Sequence, residues 1–168
     1  MPRLRFLLPA VAVAAALAVS CSKKEETPVK TADTSTSNAA KPGWLTSYEQ
    51  AQKEAQEGNK LLLLDFTGSD WCGWCIMLDR EVFSKPEFKE YAKKNLVLLE
   101  LDFPKKKKMP AEIIKQNQQL AMQYQIMSFP TVVVLNGSGQ VVGALGYLRG
   151  GPSAFIAQLE RIRNGGNG

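Results

Sequence analysis

Phe66-Thr67-Gly68-Ser69-Asp70-Trp71-Cys72-Gly73-Trp74-Cys75 joins an apolar run to a helix-like stretch and sets two cysteines at the junction with two residues between them. Two cysteines so spaced at a helix start can close a disulfide within one turn. The first also meets the unpaired N–H groups and the positive dipole end of the helix, which favour a thiolate. The chain has 168 residues, three cysteines and no histidine. Without histidine there is no His-containing metal site and no Ser-His-Asp or Cys-His nucleophile pair. Chemistry is left to cysteine, carboxylate and lysine. Three cysteines are also too few for a disulfide scaffold or a zinc site of four thiolates.

Upstream of the pair, Leu61-Leu62-Leu63-Leu64-Asp65-Phe66 reads as a strand buried on both faces. Before it, Thr46 and Glu49 form a capping-box pattern for a helix that continues through Glu57 and stops at Gly58-Asn59. Downstream, Cys72 to Phe83 is expected as a helix, Pro86 opens another through Lys94, and Leu96 to Asp102 is a second buried strand. Past Lys105 to Lys108, Pro110 starts a helix running to about Tyr124. Thr131 to Leu135 and Gln140 to Gly146 form a hairpin around Asn136-Gly137-Ser138-Gly139, whose glycines can supply positive φ. Pro152 begins a closing helix with Phe155, Ile156, Leu159 and Ile162 at helical spacing. Strands alternating with helices, followed by a tight hairpin, predict an α/β protein with a central mixed sheet flanked by helices.

In this order, several pieces resemble the thioredoxin superfamily over most of Trp44 to Arg163: Leu64-Asp65-Phe66, Trp71-Cys72-Gly73-Trp74-Cys75, Ser128-Phe129-Pro130-Thr131 and Asn136-Gly137-Ser138-Gly139. The run from Phe66 to Cys72 is most similar to the exported thioredoxin-like branch related to the C-terminal domain of the transmembrane disulfide reductase system. The resemblance implies a thioredoxin fold, with Cys72 as attacking thiolate and Cys75 as resolving thiol. It makes Pro130 a cis-proline facing the disulfide, against the base rate for X-Pro bonds. The backbone of Phe129 would then be open to strand-like pairing with a substrate. Asp65 becomes a proton acceptor beneath Cys75, the alternative being a strand-end carboxylate reached by water. Six residues separate Asp65 from Cys72, one more than in the thioredoxin pattern, and the lysine that often partners this acid has no counterpart in Val97 to Asp102. Trp71 is expected to pack the helix onto the sheet. Trp74 is expected in an exposed apolar rim that grips partly unfolded substrates. With Gly73, Phe129 and Pro130, these two complete the expected substrate-binding surface.

The N-terminus reads as an address. Arg3 and Arg5 precede an apolar run from Phe6 to Val19 that is shorter than the roughly 20 residues of a membrane-crossing helix, so residues 1–20 are expected to be a signal peptide. Ala18-Val19-Ser20-Cys21 resembles the bacterial lipobox, which makes Cys21 a lipidated anchor. Residues 21–43 have the composition of a disordered tether, and 44–168 form the thioredoxin-like domain. The formal charge of +5 is mostly outside that domain, which carries 15 basic and 13 acidic residues. Lys105 to Lys108 exceed that surplus, so the basic character is one loop and no nucleic-acid partner is expected. The loop is expected as a solvated turn, with docking of an acidic partner or anionic lipid as the alternative.

Together these features predict a monomeric thiol-disulfide oxidoreductase on the periplasmic side of a bacterial envelope, lipid-anchored, and a reductase or isomerase more than a strong oxidant. Its partners would be protein disulfides and a membrane-bound dithiol donor or acceptor. The dithiol is itself the redox group, so no cofactor and no metal is expected. A non-catalytic adaptor with a structural Cys72–Cys75 bond is the competing reading.

Overall fold

Leu61–Thr67 (β1) is buried along six of its seven residues because it runs between two other strands. The computed structural model describes residues 41–165. The expected signal peptide, Cys21 and the tether as far as residue 40 lie outside the described residues. The other elements are α1 (Tyr48–Glu57), α2 (Gly73–Leu78), a π-helical turn (Asp79–Phe83), α3 (Pro86–Asn95), β2 (Leu96–Asp102), α4 (Ala111–Gln123), β3 (Thr131–Leu135), β4 (Val141–Leu145) and α5 (Gly151–Arg163). The sheet order is β2-β1-β3-β4, with β1 parallel to β2 and antiparallel to β3, and β4 antiparallel to β3. This is the expected mixed sheet flanked by helices.

Alternation along the strands divides the core. Leu62, Leu64 and Phe66 join Val97, Leu99 and Leu101 under α1 and α4, whereas Leu63 and Leu96 join Leu78, Phe83, Phe88 and Phe155 on the opposite face. The same period puts Asp65 on the second face, and its register partner Glu100 beside it. Two carboxylates therefore stand at the C-terminal ends of adjacent parallel strands, under the element that begins at the cysteine pair.

Four local expectations change. The first helix is capped by Ser47, whose side chain accepts from Gln50 N–H at 3.3 Å, and not by Thr46. Gln116 of α4 takes the neighbouring backbone groups instead, donating to Thr46 C=O and accepting from Tyr48 N–H, both at 2.9 Å. The expected helix from Cys72 to Phe83 is two segments: α2 ends at Leu78, and a π-helical turn re-aims the chain toward α3. Pro110 stands at the N-cap of α4 and not within it. Of Gly137 and Gly139, only Gly139 has positive φ (78°), because Asn136 Oδ1 organises the turn by accepting from Ser138 and Gln140 N–H at 3.0 Å. Leu45 bridges to Leu99 and covers part of the edge of β2.

Candidate active site

The loop between β1 and α2 is held from several sides. Gly68 C=O accepts from Trp71 N–H at 3.2 Å and Cys72 N–H at 2.8 Å. Ser69 donates to the Asp102 carboxylate through its N–H (2.9 Å) and its hydroxyl (2.6 Å), while Asn117 donates to Asp102 C=O at 2.9 Å. Trp71 lies over Gly68 so closely that a Cβ there would meet its indole at 2.6 Å, which is why the position needs glycine. The indole N–H donates to Phe103 C=O at 2.8 Å, and the ring meets Phe129 edge-on at 5.9 Å. Trp71 is thus a half-exposed rim residue and not the helix-to-sheet packing residue expected. Its polar N–H needs an acceptor, and the loop after β2 supplies one.

Cys72 and Cys75 are joined by a disulfide, with Cα atoms 5.2 Å apart. Cys72 is the N-cap of α2, and its Sγ accepts from Cys75 N–H at 3.3 Å. Both cysteines are buried, but the residues between them are open: no atom lies within 4 Å of a Cβ built at Gly73, and Trp74 is 55% exposed. Trp74 leans on Tyr147 with ring centroids 5.4 Å apart, and the Tyr147 hydroxyl donates to Glu81 at 2.6 Å. The Phe129–Pro130 peptide is cis. Phe129 packs between Trp71 and Phe103, so the structure brings together Trp71, Phe129 and the start of α2, with Trp74 on the Tyr147 side.

Asp65 is 2% exposed. The lysine missing from β2 comes from Lys41, a residue assigned by composition to the tether. Its Nζ is 2.9 Å from Asp79, 3.1 Å from Glu100 and 3.7 Å from Asp65. The same ammonium lies 5.0 Å from the Trp44 ring centroid. The Asp65 carboxyl is pushed up to about 7, with burial raising it most, Lys41 opposing, and Glu100, Asp79 and Asp102 raising it further. Burial alone would lower Lys41, but Asp65, Glu100 and Asp79 together hold it well above the ordinary lysine value. Asp65 Oδ1 has no hydrogen-bond partner among the described residues. One ammonium among three carboxylates leaves an excess of negative charge that a proton on Asp65 relieves. A cavity of about 230 Å³ lined by Lys41, Thr67, Ser69, Cys75, Asp79 and Lys107 joins this cluster to the second cysteine. Asp79 had one legible signal, its position four residues after Cys75 on a helix, which places both on one face.

The sequence profile of the thioredoxin-like domain family matches residues 48–163. The disulfide bond reductase DsbH of Chlamydia pneumoniae is 35% identical over 114 residues, which is 68% of this chain and 69% of DsbH. The thioredoxin-related protein DsbJ of the same organism is 28% identical over 103 residues, covering 61% of this chain and 30% of DsbJ. A solved DsbH oxidoreductase aligns with TM-score 0.70 and 34% identity across 75% of this chain and 87% of that one.

Proposed function

The chain belongs to the thioredoxin-like family and is a thiol-disulfide oxidoreductase; from that premise we propose that it reduces or isomerises protein disulfides outside the cytoplasm, with Cys72 attacking and Cys75 resolving. The observation that carries this reading is Cys72 at the N-cap of α2, bonded to a Cys75 that shares a cavity with Lys41 and Asp79 of the buried cluster. In the reducing direction the Cys72 thiolate attacks one substrate sulfur and expels the other as a thiolate. Asp65 takes the Cys75 proton, and the Cys75 thiolate then attacks Cys72 Sγ, releasing the second substrate thiolate and closing the Cys72–Cys75 bond. Two electrons pass to the substrate. A membrane-bound dithiol returns them. Trp71, Gly73, Trp74, Phe129 and Pro130 form the surface that receives the substrate chain, and the domain works as a monomer.

Reduction of a model protein disulfide and the reduction potential of the Cys72–Cys75 pair test the direction together. A potential near about −270 mV, the thioredoxin range, is expected, and one near about −120 mV would make the chain a strong oxidant and overturn the reductase reading. The proposed location rests on the N-terminal sequence, in which Cys21 carries the acyl chains that anchor the domain. Labelling with a palmitate analogue in cells is expected to mark the mature protein at Cys21. Unlabelled mature protein would remove the anchor.

A further inference from the structure

We propose that the Lys105–Lys108 loop is a selectivity element that favours substrates whose disulfide is flanked by acidic residues. This inference rests on the reading of the chain as a disulfide reductase and names the chemistry of its preferred substrate. All four lysines are exposed. The loop is not the free solvated turn its composition suggests, because it is fastened to the residues that lead into Cys72. The Asp70 carboxylate accepts from the backbone N–H groups of Lys105 (3.0 Å), Lys106 (2.7 Å) and Lys107 (3.2 Å). Lys107 Nζ donates to Ser69 Oγ at 2.9 Å, and Lys105 Nζ stands 4.0 Å above the Trp71 ring. Lys107 also lines the cavity that reaches Cys75.

These ties have an electrostatic consequence. Asp70, the nearest acid, is committed to the three main-chain amides, which hold its carboxyl below the usual range. Asp102, the other acid beside the loop, is engaged by Ser69. On the other side of the dithiol, Glu81 is engaged by Tyr147 and Arg80. Outside this loop, residues 44–168 contain 11 basic and 13 acidic residues, so positive charge is concentrated where a substrate disulfide must approach. Charge so placed raises the encounter rate of an acidic segment and loses its effect as salt screens it. An acidic protein segment fits better than an anionic membrane. The loop is bound to Trp71 and Ser69, so a bilayer lying on it would cover the cysteine pair.

The test uses the full chain and three disulfide peptides of identical ring, flanked by glutamates, by lysines or by neutral residues, with reduction followed at several ionic strengths. The acidic peptide is expected to react about tenfold faster than the basic one at low salt, the ratio approaching one by about 0.5 M. In a Lys106→Glu/Lys108→Glu variant, and more weakly in Lys106→Gln/Lys108→Gln, the ratio should fall or invert. A ratio is read within each protein, so a general loss of activity does not mask it. Equal rates for all three peptides at low salt overturn this inference and leave the reductase reading standing. Equal rates combined with lysine-dependent binding to vesicles of anionic lipid assign the loop to a membrane instead. Failure to reduce even the neutral peptide overturns the reductase reading and this inference with it.

Discussion

Cys75→Ser protein is expected to accumulate as a disulfide with its substrate through Cys72, whereas Cys72→Ser protein should form no adduct and lose turnover by about 10³-fold or more. The two cysteines occupy different places. Cys72 caps α2 and its sulfur receives the Cys75 N–H at 3.3 Å, while Cys75 lies within the first turn and lines the cavity shared with Lys41 and Asp79. Helix-terminal stabilisation of a thiolate contributes modestly to rate. Lowering a thiol from about 8.5 to about 7 raises its ionised fraction at neutral pH some sixteenfold, and the accompanying loss of nucleophilicity returns about fivefold. Proximity contributes far more, because intramolecular attack by Cys75 corresponds to effective molarities that no external thiol reaches. Removing Cys75 therefore stalls the reaction after the first bond exchange. Serine at position 72 preserves a side chain able to cap α2, so its effect reads chemistry and not unfolding. Non-reducing gels and mass spectrometry distinguish the outcomes. Adducts through Cys75 in the Cys72→Ser protein would reverse the roles, and no adduct with either variant would favour a structural disulfide.

The parts of this site that were legible in the sequence are those encoded by local pattern. The cysteine spacing, the buried strand before it and the hairpin after Phe129-Pro130 are each a few residues long and carry their own chemistry, so they identify the fold and the reactive pair. The cation of the buried cluster was not legible. Lys41 stands in a polar run whose composition matches a tether, and its role arises only when it reaches Asp65, Asp79 and Glu100 on three different elements. Glu100 was hidden for a related reason: in the sequence it is one charged residue in an apolar strand, and only the register with Asp65 reveals it as a neighbour. The split between α2 and the π-helical turn has no local signature in Cys72 to Phe83; its residues Val82 and Phe83 are buried in a core that only the tertiary fold assembles. Trp71 reads as a packing residue in the sequence because tryptophan is large and apolar. Its N–H, its half exposure and its place over Gly68 put it on the rim.

Lys41→Met should affect both stability and the pH dependence of exchange. With a folded-state value of about 7 against an ordinary 3.8, Asp65 keeps its proton in the folded protein over a range where the unfolded chain has lost it. The folded state then binds more protons, so stability contributed by this group falls as pH rises from about 4 to about 7, and the full cost is present above that. Lys41 is the cation that opposes this effect. Removing it leaves three carboxylates without their ammonium, pushes Asp65 further up and extends the loss of stability above pH 7. A cost of about 1–3 kcal/mol is expected near neutral pH, below the usual penalty for breaking a buried pair because Asp65 can protonate in response. The exchange rate responds through the same proton. A tenfold weakening of Asp65 acidity would cut its ionised fraction at pH 7 from about one half to about one tenth, slowing resolution about fivefold and moving the rise of the pH-rate profile to higher pH. Lys41→Arg keeps the charge and should restore most of both effects. In an Asp65→Asn background the titrating group is gone, so Lys41→Met should leave the pH profile unmoved. Denaturant titrations and single-turnover rates from pH 4 to 9 measure this cycle directly. An unchanged slope and profile in Lys41→Met alone would show that Lys41 does not govern the Asp65 proton, and would leave Asp65 a buried carboxylate with no part in proton transfer.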